Sequence, residues 1–299
     1  MFKATHVILV FCLLFMFGCT NRSNNSGQDK LDVTLDTVTD VTLKLSGDAE
    51  EDILFYNMLF PIDLGVIIDK RNVIYNSNLL NPLSNFANYN ESSKRALALG
   101  VYGADLSYLW GFQQAQQALW YFTAIKKLAN DMGIPNEYVS NSASKAEMYI
   151  ENIDTLVNLA RNAYYDCDAY LIKSNQQDLA VLVLLGGWIE TMHTALNLYT
   201  EPNSRMACKI ISQKYSLTSL LNLLFQQPDN VVITKYSNEL ITLLEEFDRL
   251  QNLYFTDQLE IDTLNKTITF TASKELELKP DALKQLKELI VGLRELIIL

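Results

Sequence analysis

Glu190 and His193 are the residues whose types and spacing most suggest chemistry. They lie three apart in the stretch GGWIETMH, residues 186–193, so a helix presents both on one face. The same Glu-x-x-His spacing supplies metal ligands in four-helix di-iron carboxylate proteins. Such a site needs a second pair, and the only other histidine, His6, lies among the first eighteen residues. A mononuclear metal site with Asp105 is the remaining alternative to a histidine that is satisfied by hydrogen bonds inside a helical bundle.

Asp105 lies in a second stretch of interest, GVYGADLSY, residues 100–108. It shares a helix face with two tyrosines on a segment that is otherwise mostly apolar. A carboxylate in such surroundings must be hydrogen-bonded or lie in a water-filled pocket. The sequence leaves two interpretations open, a structural tyrosine-carboxylate network and a ligand pocket. The candidate ligand-binding residues are Tyr102, Asp105, Tyr108, Trp188, Glu190 and His193.

Glycines accompany both stretches. Gly100 and Gly103 precede the aspartate, and the pair at 186–187 precedes the glutamate. Glycine inside a helix costs about 1 kcal/mol relative to alanine, so its presence indicates that another backbone comes close. We therefore expect these glycines to mark one place where two central helices meet. That meeting would bring Asp105 and Glu190 within reach of a shared polar network.

Catalytic signatures are scarce in this sequence. It has no glycine-rich phosphate loop, no Gly-x-Ser-x-Gly turn and no Cys-x-x-Cys pair. A Ser/His or Cys/His mechanism would have to use His193, and no motif presents a nucleophile to it. Paired carboxylates remain open among 35 acidic residues, but nothing singles out a pair. We therefore assign no catalytic residue, metal or cofactor, and expect a non-catalytic protein.

Composition indicates which elements position these residues. The chain has 299 residues, of which 49% are hydrophobic and 20% charged, enough to build a sizeable core. It has 11 glycines and 6 prolines, few for a fold with many tight turns, which favours helices. The formal charge of −11 makes a nucleic-acid partner improbable, since phosphate binding needs a basic face.

Apolar residues recur in alternating steps of three and four, the pattern of helices packed lengthwise. Four such seams run over residues 97–129, 149–170, 236–254 and 283–297. The segment 176–199 is apolar nearly all round in its first half, so we predict it to be the central helix. Polar and apolar residues alternate on either side of residues 263–266, the pattern of a β-hairpin. The predicted fold is mainly α, an up-and-down antiparallel helical bundle with a short β-hairpin before the C-terminal helix.

The N-terminus has the parts of an export signal. Lys3 precedes an apolar stretch over residues 7–17, too short for a permanent membrane span of about 20 residues. Cys19 then follows Gly18. The order Met-Phe-Gly-Cys resembles the lipobox of bacterial lipoproteins, which implies that Cys19 is acylated and becomes the mature N-terminus. Phe17 departs from that pattern, in which a smaller residue is commoner, and an ordinary secretory signal or uncleaved anchor is the alternative.

Three regions follow from this reading: a signal peptide at 1–18, a flexible tether at 19–47, and a single helical domain at 48–299. Residues 20–30 are polar and free of aromatic residues, as in a tether. Acyl chains at Cys19 would hold the domain on a membrane. Thr20 is not the aspartate that favours inner-membrane retention in enteric lipoproteins, so we expect a cell-envelope location at the outer membrane.

Two motifs carry a resemblance to a known group. The stretches VYGAD at 101–105 and GGWIE at 186–190 resemble those of uncharacterised helical lipoproteins of Bacteroidota. The resemblance covers most of residues 48–299. It implies a helical, lipid-anchored envelope protein, and it implies no activity, because none is assigned to that group.

Two cysteines remain outside the signal and the lipobox, Cys167 and Cys208. A disulfide between them and two free buried thiols are both compatible with the sequence. The expected function is a lipid-anchored helical module that binds an unknown protein or small-molecule partner. The alternative is an envelope enzyme or metal-binding protein that uses the carboxylate and histidine residues of the core.

Overall fold

The chain is mainly helical. A computed structural model describes residues 40–44, 73–138, 153–200, 204–254, 259–262, 267–271, 279 and 281–299. The buried apolar side chains of these residues form one continuous core. The helices are α1 (Ser92–Gly111), α2 (Ala115–Asp131), α3 (Ile153–Lys173), α4 (Gln177–Leu198), α5 (Ser204–Ile211), α6 (Lys214–Phe225), α7 (Val231–Tyr254) and α8 (Lys284–Ile298).

The helices α1 and α4 form the centre of the molecule. In α1 every residue from 96 to 110 is buried, and in α4 every residue from 180 to 196 is buried. Among the described residues, α4 alone is long and apolar enough to cross a membrane, and 94% of its most apolar stretch is buried within the protein. The prediction that residues 176–199 form the central helix is therefore confirmed.

Gly100 and Gly186 lie where α1 and α4 meet. A Cβ atom on Gly100 would collide with the Val183 carbonyl group, and one on Gly186 would collide with the Leu97 carbonyl group. Each glycine therefore lies against the backbone of the opposite helix, where no side chain fits. The close approach expected from these glycines is confirmed at both positions.

Gly103 has a different neighbour from the one expected. A Cβ atom there would collide with the ring of Tyr164 on α3, not with the backbone of α4. The Tyr164 hydroxyl also donates a hydrogen bond to the Leu99 carbonyl oxygen at 2.9 Å. The expectation that Gly103 belongs to the contact with α4 was wrong, because a tyrosine ring from a third helix fills the space.

The outer helices bury one stripe each. In α7 the buried positions include Tyr236, Leu240, Leu243, Phe247 and Leu250, all of them in the predicted seam. In α8 the predicted positions 286, 290, 293 and 297 are buried in the same way. The apolar periodicity predicted these two helices because each has one solvent-exposed face and one buried face.

Residues 73–91, which we call the strap, lie before α1 and contain two short 3-10 turns, Ser77–Leu79 and Leu83–Asn88. Leu79, Leu80 and Tyr89 of the strap are buried, and Asn81 is fully buried. The sequence analysis predicted no element here. The strap runs against α1, α2 and α8, so it covers one side of the central helices.

Three short strands form an antiparallel sheet in the order β1-β3-β2: β1 (Asp40–Lys44), β2 (Leu259–Asp262) and β3 (Thr267–Thr271). In this sheet Leu259 pairs with Phe270 and Asp40 with Thr271. Residues 263–266, where the predicted hairpin would turn, lie outside the described residues. The strand β1 was not expected, because it falls inside the range 19–47 assigned to the tether. That assignment is corrected for residues 40–44, whose backbone pairs with β3; the rest of the tether lies outside the described residues, as do the signal peptide and Cys19.

Candidate functional site

Glu190 and Arg294 form a buried ion pair between α4 and α8. The Nε atom of Arg294 donates to Oε2 of Glu190 at 2.6 Å, and Nη2 donates to Oε1 at 2.7 Å. Nη2 also donates to the Leu79 carbonyl oxygen of the strap at 3.1 Å. Glu190 is fully buried and Arg294 is 9% exposed. Parallel hydrogen bonds of this kind are the strongest that a carboxylate makes with a side chain.

Asp105 lies beside this pair on α1. Its Oδ2 atom accepts a hydrogen bond from the Asn81 backbone N–H at 3.1 Å. The Glu190 carboxyl group is a close neighbour that repels the charge on Asp105. Among the described residues, no N–H or O–H group reaches Oδ1, which is fully buried. The structure thus brings Asp105 and Glu190 together, as the glycines and acids of the two stretches predicted.

Asp105, Glu190 and Arg294 form a buried polar group that we call the cluster, and its ionisation is set mainly by burial. The pKa of the Asp105 carboxyl lies well above its usual range, because burial disfavours the charged form and Glu190 repels it. Attraction by Arg294 and the Asn81 N–H opposes that rise only in part. Burial also raises the pKa of Glu190, although Arg294 acts against it. Burial disfavours the charge on Arg294, but attraction by Glu190 and Asp105 outweighs this and raises its pKa.

Asn81 joins the strap to this cluster, and every polar group of the residue has a partner. Besides its N–H bond to Asp105, its Nδ2 donates to the Tyr89 hydroxyl at 2.8 Å, and its Oδ1 accepts from Asn85 at 2.8 Å. Its carbonyl oxygen accepts from the Tyr121 hydroxyl of α2 at 2.8 Å. Sequence analysis missed Asn81. The signal was the dipeptide Asn81-Pro82, a turn signal.

Arg294 was missed as well. It lies four residues after Ile290 and three before Ile297, both in the predicted seam of α8. A charged residue at such a position lies on the buried face of the helix, where it requires a partner. That placement was the signal for an acidic partner elsewhere in the core.

Tyrosine rings surround the cluster. The ring of Tyr102 packs edge-on against those of Tyr89 and Tyr121, with centroids 6.1 and 5.6 Å apart. The Tyr102 hydroxyl donates to the Pro82 carbonyl oxygen at 3.2 Å. Burial raises the pKa values of all three hydroxyls, so they remain neutral donors. Asn81 connects these tyrosines to the carboxylate, because it bonds to Asp105, Tyr89 and Tyr121. The direct tyrosine-carboxylate network, one of the two interpretations of the sequence, stays a prediction.

Tyr108 and Trp188 contact other groups. The Tyr108 hydroxyl accepts from the Asn76 N–H at 2.8 Å, and its ring stacks on Tyr75 at 5.5 Å. Trp188 is fully buried and its ring faces Phe247 of α7 at 6.3 Å. The six candidate residues therefore divide between the cluster and separate packing contacts, and they do not face one common opening.

His193 lies at the edge of the cluster on α4 and is 9% exposed. Its Nδ1 is 3.3 Å from Nδ2 of Asn197. Burial, together with repulsion from Arg294 and Lys287, lowers the imidazole pKa to about 3. Both Glu190 oxygens are bonded to Arg294, whose positive charge opposes a metal ion at this place. Within the described ranges, no group of three or more His, Cys, Asp or Glu side chains is placed to hold a metal ion.

A cleft of about 710 Å³ lies elsewhere, between the C-terminal part of α7 and the start of α8. Arg249, Lys284 and Glu288 are among the residues that line it, and none of the cluster residues does. The cluster residues are buried among the residues that the structure describes, and they do not line this cleft.

Comparison of the chain with models of protein families, with curated proteins and with solved structures finds no match.

Proposed function

We propose that this chain is a lipid-anchored helical module of the cell envelope that binds a partner and does not catalyse a reaction. The observation that carries the non-catalytic part is the closed state of the polar cluster. Glu190 is bonded to Arg294, and Asp105 is bonded to the Asn81 N–H of the strap. The Tyr102 and Tyr121 hydroxyls donate to backbone carbonyls, and the Tyr89 hydroxyl accepts from the Asn81 side chain. A catalytic acid or base needs access to substrate, which this packing does not provide.

The cluster has a clear structural use. It connects α1, α4, α8 and the strap through hydrogen bonds between side chains and backbone. Segments that are far apart in the chain are held in one arrangement, and buried polar groups can specify such an arrangement. In this proposal the core residues keep the shape of the module, and the partner is recognised on its outer surface.

The proposed anchor is supported by the sequence of the first nineteen residues. The signal-like stretch ends at Gly18-Cys19, and lipid on Cys19 would attach the domain to a membrane. A chain with a formal charge of −11 has no general attraction to an anionic bilayer, so a covalent lipid is the membrane contact that the sequence offers. We propose an outer-membrane location.

For the architecture we propose an up-and-down antiparallel bundle with a β-hairpin before α8. Short links support it, since α1 and α2 are separated by residues 112–114, α3 and α4 by 174–176, and α6 and α7 by 226–230. Links this short favour antiparallel neighbours. The Tyr236 hydroxyl near the start of α7 donates to the Leu296 carbonyl near the end of α8, as antiparallel packing requires.

The anchor is tested by replacing Cys19 with serine in the full chain. We expect Cys19→Ser to lose acyl labelling and to accumulate as a precursor or in the soluble fraction, with its helical circular dichroism kept. Cys12→Ser is the matched control, because Cys12 lies inside the signal and should not affect acylation. Unchanged labelling of Cys19→Ser would refute the assignment.

The alternative, an enzyme or metal-binding protein centred on Asp105, Glu190 and His193, is tested by metal analysis. The protein is purified without chelator, and its metal content is compared with that of His193→Ala. We expect no stoichiometric transition metal in either. One metal per chain that is lost in His193→Ala would overturn the non-catalytic proposal.

A further inference from the structure

The charges of the cluster do not balance unless it holds a proton. Asp105 and Glu190 are both buried, with exposures of 1% and 0%. The positive charge in contact with them is the Arg294 guanidinium, which bonds to Glu190. Two ionised carboxylates with one guanidinium would leave a net negative charge away from water, which is strongly unfavourable.

The geometry shows where a proton belongs. The Asp105 carboxyl is buried next to the Glu190 carboxyl, which repels it, and two carboxylates without a proton can only accept hydrogen bonds. Oδ2 of Asp105 accepts from Asn81, whereas Oδ1 is buried without a donor in the described part of the chain. A proton on Oδ1 turns this repulsive contact into a hydrogen bond donated to Glu190.

Among the residues that the structure describes, no second positive charge faces Asp105 to replace that proton. The titratable groups that face Asp105 are Tyr75 and Tyr89 of the strap, Tyr102 of α1, Tyr121 of α2, Tyr164 of α3, Glu190 of α4 and Arg294 of α8. The tyrosines are neutral when protonated, and His193, at the edge of the cluster, is neutral because burial lowers the pKa of its ring. Arg294 is thus the one cation in this set.

We propose that the folded protein holds one proton on Asp105, hydrogen-bonded to the Glu190 carboxylate, and that the chain takes this proton from solvent when it folds at neutral pH. Glu190 keeps its negative charge because both of its oxygens are bonded to Arg294. The cluster is then electrically neutral as a whole. Folding of this domain is therefore coupled to proton uptake, which makes it a pH-sensitive device that does not depend on the proposed lipid anchor.

The direction of the pH effect follows from the raised pKa of Asp105. In the unfolded chain this carboxyl ionises near its ordinary pKa of about 4, whereas in the folded protein it stays protonated to higher pH. Its contribution to stability is complete below about pH 4 and is lost as pH rises toward the pKa of the folded state. In that window the unfolding equilibrium constant increases about tenfold per pH unit through this group alone.

Asp105→Asn is the test, because the amide mimics the protonated acid. Its Nδ2 can donate to Glu190 while its Oδ1 accepts from the Asn81 N–H. Urea unfolding of the full chain in nonionic detergent is followed from pH 5 to 8, with circular dichroism as the signal. We expect the ratio of the wild-type unfolding constant to that of Asp105→Asn to rise with pH. Contributions of groups common to both proteins, including His193, cancel in this ratio.

Glu239→Gln is the control, since Glu239 is an exposed carboxyl in the middle of α7. The ratio of its unfolding constant to that of the wild type should stay nearly constant over the same range. A constant ratio for Asp105→Asn as well would overturn the proposal.

Infrared spectroscopy gives a second measurement that needs no stable variant. Wild-type protein with isotope-labelled aspartate side chains should show, at pH 7, the carbonyl band of a protonated carboxylic acid with the isotope shift of aspartate. Asp105→Asn should lack this band if it folds. Absence of the band from the wild type would refute the proposal whether or not the variant folds.

Discussion

At the scale of single residues, Arg294 is the most consequential side chain of the core. It is the guanidinium that neutralises Glu190, and it also bonds to the strap through the Leu79 carbonyl. Breaking a buried ion pair by removing one partner typically costs 3–5 kcal/mol, because the other charge is left without compensation. The pair is therefore a point of vulnerability more than a net source of stability.

We expect Arg294→Met to lower the free energy of unfolding by about 3–5 kcal/mol at pH 7. Methionine fills much of the volume, so the loss reflects mainly the unpaired Glu190. Lys214→Met is the comparison, since Lys214 pairs with the half-exposed Asp248 near the surface, and it should cost no more than about 1 kcal/mol. Urea unfolding measures both, and equal losses would contradict the special position of Arg294.

His193 should resist protonation in the folded state. Its folded pKa is about 3, mainly because of burial, whereas an unfolded histidine titrates near 6.5. Its contribution to stability is therefore present above about pH 6.5 and is lost as pH falls toward 3, by roughly 1.4 kcal/mol per pH unit. We expect the imidazole NMR signal to stay constant between pH 8 and 5 in the native protein and to titrate near 6.5 in urea. Native titration near 6.5 would contradict the buried position.

At the scale of elements, the contact between α1 and α4 depends on two glycines. The helices approach so closely at Gly100 and Gly186 that the smallest side chain would meet a backbone carbonyl of the other helix. A carbonyl in a packed helix cannot rotate away as a side chain does. The two helices would have to separate, and with them the acids that the contact holds together.

Gly186→Ala should therefore destabilise the protein by about 1–3 kcal/mol through overpacking, although alanine is the better helix former. Gly292→Ala is the matched control, since Gly292 lies exposed on α8 and an added Cβ atom there would have no neighbour within 4 Å. That change should stabilise by up to about 1 kcal/mol. Thermal unfolding should show that Gly186→Ala lowers stability and that Gly292→Ala does not. Stabilisation by both changes would exclude the close contact.

Predictability from sequence differed between elements for a physical reason. The helices α7 and α8 have one buried stripe each, which leaves a period in the sequence. The strap has no period, because its residues are held one at a time by partners in other elements, as Asn81 is by Asp105 and Tyr121. The strand β1 was missed because its partner, β3, lies more than two hundred residues later in the chain.

The residues of the site also differed in how well the sequence predicted their partners. Asp105 and Glu190 could be paired from the sequence, because each lies beside a glycine that signals close approach. Arg294 was not assigned to them, since it is 104 residues from Glu190 and no local pattern names its partner. The sequence therefore predicted the two acids of the cluster but not the arginine that pairs with them.

At the scale of the whole molecule, the reactivity of the thiols depends on how they are packed, and the number of free thiols depends on how the N-terminus is processed. Cys167 and Cys208 are free thiols. Burial, helped by Asp166 and Asp168, raises the pKa of Cys167 to about 12, and burial raises that of Cys208 to about 11. Cys167 is buried and Cys208 is half-buried. A thiol that stays protonated and has little access to solvent reacts slowly.

We expect a thiol reagent to label the native protein slowly and to label two groups per chain after unfolding. Two is the count only if Cys12 has been removed with the signal and Cys19 is acylated, since the full sequence has four cysteines. Mass spectrometry of the labelled, purified protein gives the number. Three or four labelled thiols would contradict the proposed processing, and rapid native labelling of Cys167 would contradict its buried position.

The long span of the Arg294 contacts also bears on the order in which the protein reaches its final form. Arg294 meets Glu190 across 104 residues and Leu79 across 215. A chain with an N-terminal export signal is made and translocated from its N-terminus, so the strap, α1 and α4 emerge before the Arg294 guanidinium that neutralises Glu190. Until α8 packs against α4, Glu190 must stay solvated or protonated. Water therefore cannot be excluded from the residues around it. Because contacts of such separation carry a large entropic cost of loop closure, we expect α8 to dock late in folding. Until it does, the exposed apolar surface of the incomplete domain favours aggregation.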